Sequence, residues 1–343
     1  MRMTSFSGRC VALALAASLQ FVPGTAQAAN PNFYAGKTIS LVIGSGEGGI
    51  YDLGGRLMAR FLEKYIPGHP TIVARNMPGA SSVVATQFVY NSAPPDGLTI
   101  ATVQPTVVLN KLLDPSAKYV SEKLSWIGRV QPVTLVGLSW TASGVTNIRQ
   151  AETQQVIVSA SGATGTSAIV PWALNKLVGT RFKVVRGYVS QAPQFVAMER
   201  GEVAGIGSAS LSDVLEKADW TAQKKVTILY TIAQHRSSLA PNAPALTELA
   251  KTDQDKKVLA LLGSVSDVGQ TLMAPPGVPK DRLDILRKAF DAMVKDPDFA
   301  AGGKVFNMGV DPLKGADLAA LVSDASNAPA PVVERLRAVT RPQ

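Results

Sequence analysis

Thiols are almost missing from this chain: Cys10 is the one cysteine in 343 residues, and it lies in an N-terminal segment that reads as a removable leader. Without a second cysteine no internal disulfide forms, and once the leader is gone no thiol nucleophile or thiolate ligand remains. Histidine is scarce as well. His69 and His235 have no companion at metal-ligand spacing, which leaves the common zinc motifs without support. No G-x-S-x-G elbow follows a strand-like run, and no H-E-x-x-H or paired-carboxylate turn occurs, so the familiar hydrolase arrangements are unsupported too. Aromatic residues make up 6% of the chain and the basic residues are scattered, which argues against a nucleic-acid partner. After the leader no stretch of about 18 uninterrupted apolar residues is present, so no spanning helix is expected.

What is present starts with that leader. Arg2 and Arg9 give a positive start, residues 11–22 are apolar, Pro23-Gly24 breaks the run, and Ala26-Gln27-Ala28 matches a cleavage site. Residues 1–28 therefore read as a secretory signal peptide cut near Ala28, giving an exported protein that begins at Ala29. The leader carries two arginines and no acid, so the formal charge falls from +9 to +7 on its removal. A positive excess of this size favours anionic partners. The remaining stretch of about 315 residues is long enough for two domains.

The hydrophobic pattern has two similar halves. An apolar strand over 39–43 meets a glycine cluster, and Ile50, Leu53, Leu57, Phe61, Leu62 and Tyr65 then recur on one helix face. Strands over 71–74 and 98–103 flank a helix over 82–90, with turns at Asn-Met-Pro-Gly-Ala-Ser-Ser and Ala-Pro-Pro-Asp-Gly. The plan returns with a strand over 156–160, a small-residue turn over 161–167, a helix to about Leu177, a strand over 182–185, a helix over 194–200 and a strand over 202–207. The expected architecture is two α/β lobes with mainly parallel sheets around a central cleft. Ligands of such sheets sit beyond the carboxyl ends of the strands, where this chain places Gly, Ser and Thr. Helices over 281–295 and from Gly315 toward Val339 have no lobe of their own and are expected to pack on the first.

The glycine cluster Gly44, Gly46 and Gly49 fits G-x-G-x-x-G. A glycine-rich turn before a helix suits a phosphate or a carboxylate, because unpaired N–H groups and the positive end of the helix dipole face the ligand in both cases. Arg75, near the end of the second strand, keeps a phosphorylated-ribose cofactor open. Export opposes that reading, since free dinucleotides are scarce outside the cytoplasm.

A wider set of motifs favours the carboxylate. Gly48-Gly49-Ile50-Tyr51-Asp52, then the Asn76–Ala80 turn Asn-Met-Pro-Gly-Ala, then Pro95-Asp96-Gly97 before a strand, occur in that order. Further on come Ala274-Pro275-Pro276-Gly277-Val278-Pro279 and a helix ending in Asp296-Pro297-Asp298-Phe299. Together they resemble the substrate-binding proteins of tripartite tricarboxylate transporters, the Bug-type periplasmic receptors. That resemblance spans nearly the whole mature chain. It implies a periplasmic binding protein type II-like fold, with 29–131 plus 270–343 as the first lobe and 132–269 as the second. It also implies a non-enzymatic receptor that needs no cofactor, captures a small organic anion and delivers it to membrane transporter subunits. A receptor of similar fold serving an ATP-driven importer or a sensor is the alternative.

Carried over by position, the resemblance implies contacts from Gly48, Gly49 and Asp52 in the first turn, Ala80 and Ser81 in the second, and Thr102 and Gln104 after the third strand. The second lobe offers Ser161, Thr164, Gly165, Thr166 and Ser167, then Tyr188, Ser190 and Gln191, and finally Ser208. The chain departs from the family pattern at three places: Glu47 stands where proline is common, Val103-Gln104-Pro105-Thr106 replaces a small-residue turn, and Tyr188-Val189-Ser190-Gln191 lacks the usual lysine. The ligand is therefore carried over only as a class. From its own pattern, Glu47 is expected to face solvent, Arg186 to be exposed, and Trp172 to be core.

Overall fold

The computed structural model describes Met1 and residues 32–341. The leader and its cleavage site near Ala28 lie outside the described residues, Met1 apart. In chain order the elements are β1 (Thr38–Ile43), α1 (Ile50–Tyr65), β2 (Thr71–Asn76), α2 (Val83–Asn91), β3 (Thr99–Thr102), α3 (Asn110–Leu113), β4 (Ser125–Gln131), β5 (Leu135–Trp140), α4 (Gln150–Thr153) and β6 (Val156–Ala160). Next come α5 (Thr166–Leu177), β7 (Phe182–Arg186), α6 (Gln191–Glu199), β8 (Gly205–Ser210), α7 (Leu211–Leu215), α8 (Ala218–Ala222), β9 (Val226–Thr231), α9 (Asp253–Gly263) and α10 (Val265–Val268). The chain continues with β10 (Gln270–Ala274), α11 (Lys280–Met293), α12 (Pro297–Lys304), β11 (Leu313–Lys314), α13 (Gly315–Ser326) and α14 (Ala330–Val339).

Two sheets result, ordered β11-β4-β10-β3-β1-β2 and β7-β6-β8-β5-β9. Each has layers on both faces. In β1, Ile39, Leu41 and Ile43 enter one core with Met58, Phe61 and Phe290, whereas Val42 enters another with Ala85 and Val89. Burial on both faces explains why this strand reads as a continuous apolar run rather than an alternation. The second sheet packs Val158 with Trp172 and Leu174 on one side, and Val136 and Leu138 with Phe195, Met198 and Trp220 on the other.

The expectation of mainly parallel sheets needs correction: both are mixed. β1 runs parallel to β2 and β3, and β6 parallel to β7 and β8. The remaining pairs, made by β4, β5, β9, β10 and β11, are antiparallel. The reason lies in the connection between lobes. β4 leaves the first sheet and β5 enters the second after a three-residue link, and β10 comes back beside β4 in the opposite direction. The two crossings touch: Gln270 pairs with Gln131, and the Val133 N–H donates to the Ser266 carbonyl at 3.0 Å.

Two further expectations change. The segment over 202–207 was expected to be a strand, and β8 instead runs to Ser210. Its Gly-Ile-Gly-Ser-Ala-Ser sequence resembles a turn, but the glycine at 207 is a packing requirement, since a Cβ there would lie 2.1 Å from the Ser167 carbonyl oxygen. The C-terminal helical stretch is two helices, α13 and α14, separated at Pro329. α11, α12 and α13 pack on the first lobe, while α14 packs against α9 and α5 of the second sheet's layers as well as α3. Arg335 of α14 contacts the buried Asp255 of α9 at 2.7 Å.

Candidate ligand-binding cleft

The carboxyl ends of β1 and β3 face those of β6 and β8, and the loops after them meet. The lobes are in contact. Ser81 and Ser161 hydroxyls lie 2.9 Å apart across the junction, and the Gly46 N–H donates to the Val189 carbonyl at 3.3 Å. Ala80, Ser81 and Ser82 hold φ values of 45°, 55° and 70°, a left-handed run that disfavours side chains. Such strain persists where surrounding bonds over-determine it. Here Ser82 Oγ donates to the Gly44 carbonyl at 2.8 Å and accepts from the Gln104 N–H at 3.0 Å, tying the turn to the ends of β1 and β3.

Between the lobes lies a partly open cavity of about 60 Å³. That is room for roughly four water-sized occupants. Three helices begin at its wall: α1 at Gly49 and Ile50, α5 at Thr166 and Ser167, and α6 at Ser190 and Gln191. None of the three has a side-chain N-cap bond. First-turn N–H groups that remain without an acceptor seek one, and three positive dipole ends at one wall attract negative charge. No Lys, Arg or His contributes to the wall.

Of the residues expected from sequence, Gly49, Gln104, Ser161, Thr166, Ser167, Ser190, Gln191 and Ser208 line this cavity. Gln104 and Ser161 also line a neighbouring space of about 170 Å³, together with Ala80, Ser81 and Tyr188. Several of these groups already have partners. Thr166 Oγ1 donates to Ser208 Oγ at 3.0 Å, Ser167 Oγ accepts from the Ser161 N–H at 3.1 Å, and the Gln191 amide bonds the Ser210 backbone. Ser208 therefore sits inside β8 rather than after it, for the reason given above.

Five expected residues lie outside both spaces. The Asp52 carboxylate is turned into its own loop, accepting from the Gly48 N–H at 3.0 Å, Arg56 Nε at 2.9 Å and Asn76 Nδ2 at 2.8 Å. Gly48 is held in that same turn at φ 82°. Thr102 is fully buried, with its methyl turned toward Gly55 of α1. Thr164 and Gly165 lie in the turn before α5, and Gly165 is pressed against Ser81. Glu47 and Arg186 are exposed, and Trp172 is buried, as read from the sequence. Arg75 is exposed and stacks over Phe88 at 5.0 Å, away from the glycine turn's cavity.

The cavity wall also includes Gly46 of the glycine cluster, and residues that sequence reasoning missed, among them Ser45, Tyr51, Pro105, Gln194, Ser210 and Asp213. Asp213 follows β8, and the three-residue error in the end of that strand concealed it. Its carboxyl is pushed up to about 7 by burial, with the nearby Glu216 adding to the shift and a hydrogen bond from the Ile50 N–H opposing it. Such a carboxyl takes up a proton in the native state that it lacks in the unfolded chain at neutral pH. Its contribution to stability is present at acid pH and is lost as pH rises through about 7. The carboxyls of Glu216 and Asp267 are raised as well, both chiefly by burial, and act in the same sense. Asp296, held down to about 2 by Lys64 and Tyr65, changes stability only at lower pH. The ligand-free protein is thus expected to melt at a lower temperature at pH 8 than at pH 5.5. Scanning calorimetry of the parent and Asp213→Asn should show that slope flattened in the variant; equal slopes would remove Asp213 as its source.

Two lobes joined by paired crossings, with three helix starts at the wall of one space between them, suit the capture of a solute. The family profile described as "Tripartite tricarboxylate transporter family receptor" matches residues 56–337. The chain belongs to this receptor family. A UPF0065 protein of Bordetella bronchiseptica is 26% identical over 309 residues, spanning 87% of this chain and 85% of that protein. The periplasmic binding protein BugD has the same fold, with a TM-score of 0.69 at 19% identity over 88% of this chain and 97% of its own. MatC of Rhodopseudomonas palustris, solved with bound malate, superposes with a TM-score of 0.68 at 19% identity over 89% and 99% of the two chains. Among the described residues no helix of this receptor is long and apolar enough to cross a membrane, and no group of three His, Cys, Asp or Glu residues forms a metal site.

Proposed function

We propose that this receptor captures a small organic carboxylate between its lobes in the periplasm and presents it to the membrane subunits of a tripartite tricarboxylate-type transporter. The carrying observation is the convergence of three helix starts, from both lobes, on one cavity without basic side chains. That arrangement binds charge through oriented N–H groups. It requires no cofactor and no covalent step, which supports a non-enzymatic role. MatC with its malate, in the same fold, supports the carboxylate class.

The lobe boundaries we propose are 29–131 plus 270–343 and 132–269, with rotation taken up where β4 leads into β5 and where α10 leads into β10. The leader of residues 1–28 would direct the chain to the periplasm. Gln104, Ser161, Thr166, Ser167, Ser190 and the α1 start are the proposed ligand contacts. Ala80, Ser81 and Tyr188 would close over them, and Asp52 would hold the first turn in shape.

The test is to purify the chain from Ala29 onward out of the periplasm, identify any released small molecule by mass spectrometry, and screen mono-, di- and tricarboxylates by melting shift. A released or stabilising carboxylate is expected. Retention of a nucleotide instead would reinstate the dinucleotide reading of the glycine turn. The double variant Thr166→Val with Ser167→Ala should lower affinity for the carboxylate found by on the order of 10-fold, since it removes two polar groups at the start of α5. Unchanged affinity in calorimetric titration would assign those hydroxyls to the turn alone.

A further inference from the structure

The cavity wall is charged on one side only. Asp213 is the sole Asp, Glu, Lys, Arg or His along it. The residue is 6% exposed and takes part in none of the ion pairs among the described residues. Glu216 on the same segment adds negative charge, and Tyr51 of α1 shares the cavity wall with Asp213. The Ile50 N–H, across the lobe junction at the start of α1, donates to the Asp213 carboxyl.

Two hydroxyls on the same wall are also incomplete. Tyr51 Oη and Ser210 Oγ are buried without a hydrogen-bond partner, and the Ser210 side chain belongs to a residue only 2% exposed. Buried polar groups in native proteins are normally satisfied, so two unpartnered hydroxyls beside a buried carboxyl without an ion pair point to an occupant that completes them. A plain carboxylate does not fit that need. It would bring a second negative charge beside Asp213 in a low-dielectric space, where like charges repel strongly. A compact cation fits, provided a carboxylate on the same molecule reaches the helix starts.

We infer that the ligand is an amino carboxylate, and that Asp213 is the specificity-determining residue, accepting hydrogen bonds from the ligand's protonated amine. The Tyr51 and Ser210 hydroxyls complete the bonds of the two ligand charges. Helix starts hold one end and Asp213 the other, so the occupied cavity is close to neutral. A hydroxyl in place of the amine would donate to Asp213 yet leave its charge unbalanced. This inference rests on the carboxylate reading of the cleft.

The experiment is a melting-shift screen of the mature protein with amino carboxylates, their nitrogen-free counterparts and the matching hydroxy acids. Alanine, propionate and lactate form one such set; aspartate, succinate and malate form another. Propylamine serves as the amine without a carboxylate. Hits are then measured by calorimetry at pH 6 and 8 with the parent and with Asp213→Asn, an isosteric change. In one set the amino member is expected to bind on the order of 100-fold tighter than its nitrogen-free counterpart, the scale set by a buried charge pair. Asp213→Asn should erase that preference and leave the nitrogen-free acid bound equally or better. The parent's affinity for the amino member should hold or rise from pH 6 to 8, as Asp213 ionises.

Equal binding of the amino and nitrogen-free acids by the parent would overturn the inference and keep the carboxylate reading. So would a preference that survives in Asp213→Asn, or affinity for the amino member that falls as pH rises, since that pattern marks a protonated Asp213 donating to the ligand. Hydroxy acids that match the amino acids would remove the cationic requirement. Propylamine binding as tightly as the amino acids, or no response across the panel, would overturn the carboxylate reading itself.

Discussion

Gly162→Val is expected to leave both lobes folded and to abolish tight ligand binding. Gly162 lies in the turn after β6, and a Cβ there would fall 2.9 Å from the Ala80 Cα, 3.0 Å from the Ala80 carbonyl carbon and 3.0 Å from Ser81 Oγ. All three obstacles belong to the other lobe, and two are backbone atoms in the left-handed run that Ser82 pins. Neither side can yield cheaply. Overpacking of this kind costs about 1–3 kcal/mol for an added methyl and more for a branched side chain. A receptor that binds ligand in the closed form loses affinity by the factor through which closure is disfavoured. Gly162→Ala should therefore weaken binding by roughly 10-fold and Gly162→Val by on the order of 100-fold or more. The melting temperature of the ligand-free protein should change little, because the clash is relieved by opening. Calorimetric titration measures the first effect, and small-angle scattering should show a larger radius of gyration for the valine variant. Full affinity in Gly162→Val would mean that ligand is held without this contact.

Asp52→Ala should act on stability instead. Asp52 is 3% exposed and its carboxylate organises the first turn through three hydrogen bonds, accepted from the Gly48 N–H, Arg56 and Asn76. Asn76 in turn donates to the Ser45 carbonyl at 3.0 Å and accepts from Arg56 at 2.6 Å. Truncation strands the Gly48 and Asn76 donors in a partly buried setting. The penalty for such unmet groups is about 1–3 kcal/mol each, reduced where water can reach them. A net loss on the order of 3 kcal/mol is expected, read as a lower midpoint in urea at unchanged slope. The half-exposed Arg56 contributes little to this, since exposed ion pairs are weak. Asp52→Asn keeps an acceptor and should lose about half as much. Ligand affinity should drop in step with the loosening of the turn. An unchanged midpoint in Asp52→Ala would show that water replaces the carboxylate at no cost.

The first half of the chain was largely legible. β1 and α1 carry strong local signals: an apolar run, a glycine cluster, and an apolar stripe that matches Ile50–Tyr65. The crossing strands β4, β5 and β10 were less so. Their pairing joins residues more than 100 positions apart, as between Gln131 and Gln270, and no local pattern announces which strand will lie beside which. Their antiparallel sense followed from the need to leave one lobe and come back, so the sheets turned out mixed.

The cleft was read in part for a similar reason. Small residues after strands marked where helix starts would face a ligand, and that identified Gly49, Thr166, Ser167 and Ser190. Side-chain direction is a different matter. Asp52 and Gln191 have the right chemistry and the right turns, yet local bonding holds Asp52 in its own loop and Gln191 against the Ser210 backbone. Asp213 carried no motif at all. It reaches the wall because β8 extends to Ser210 through glycines that tolerate close backbone approach.

By itself, then, the sequence determined the periods, the breaks and the family: which segments are strands and helices, where small residues meet helix starts, and that one cysteine and two widely spaced histidines form no sequence cluster. These are consequences of local sterics and of apolar spacing, which act over a few residues. The tertiary structure alone decided the mixed sheets, the closure of Gly162 on Ala80, and the lone carboxylate facing three helix starts. Each of those depends on backbone and charge from distant segments being brought within a few ångströms, where excluded volume and low dielectric give them their force.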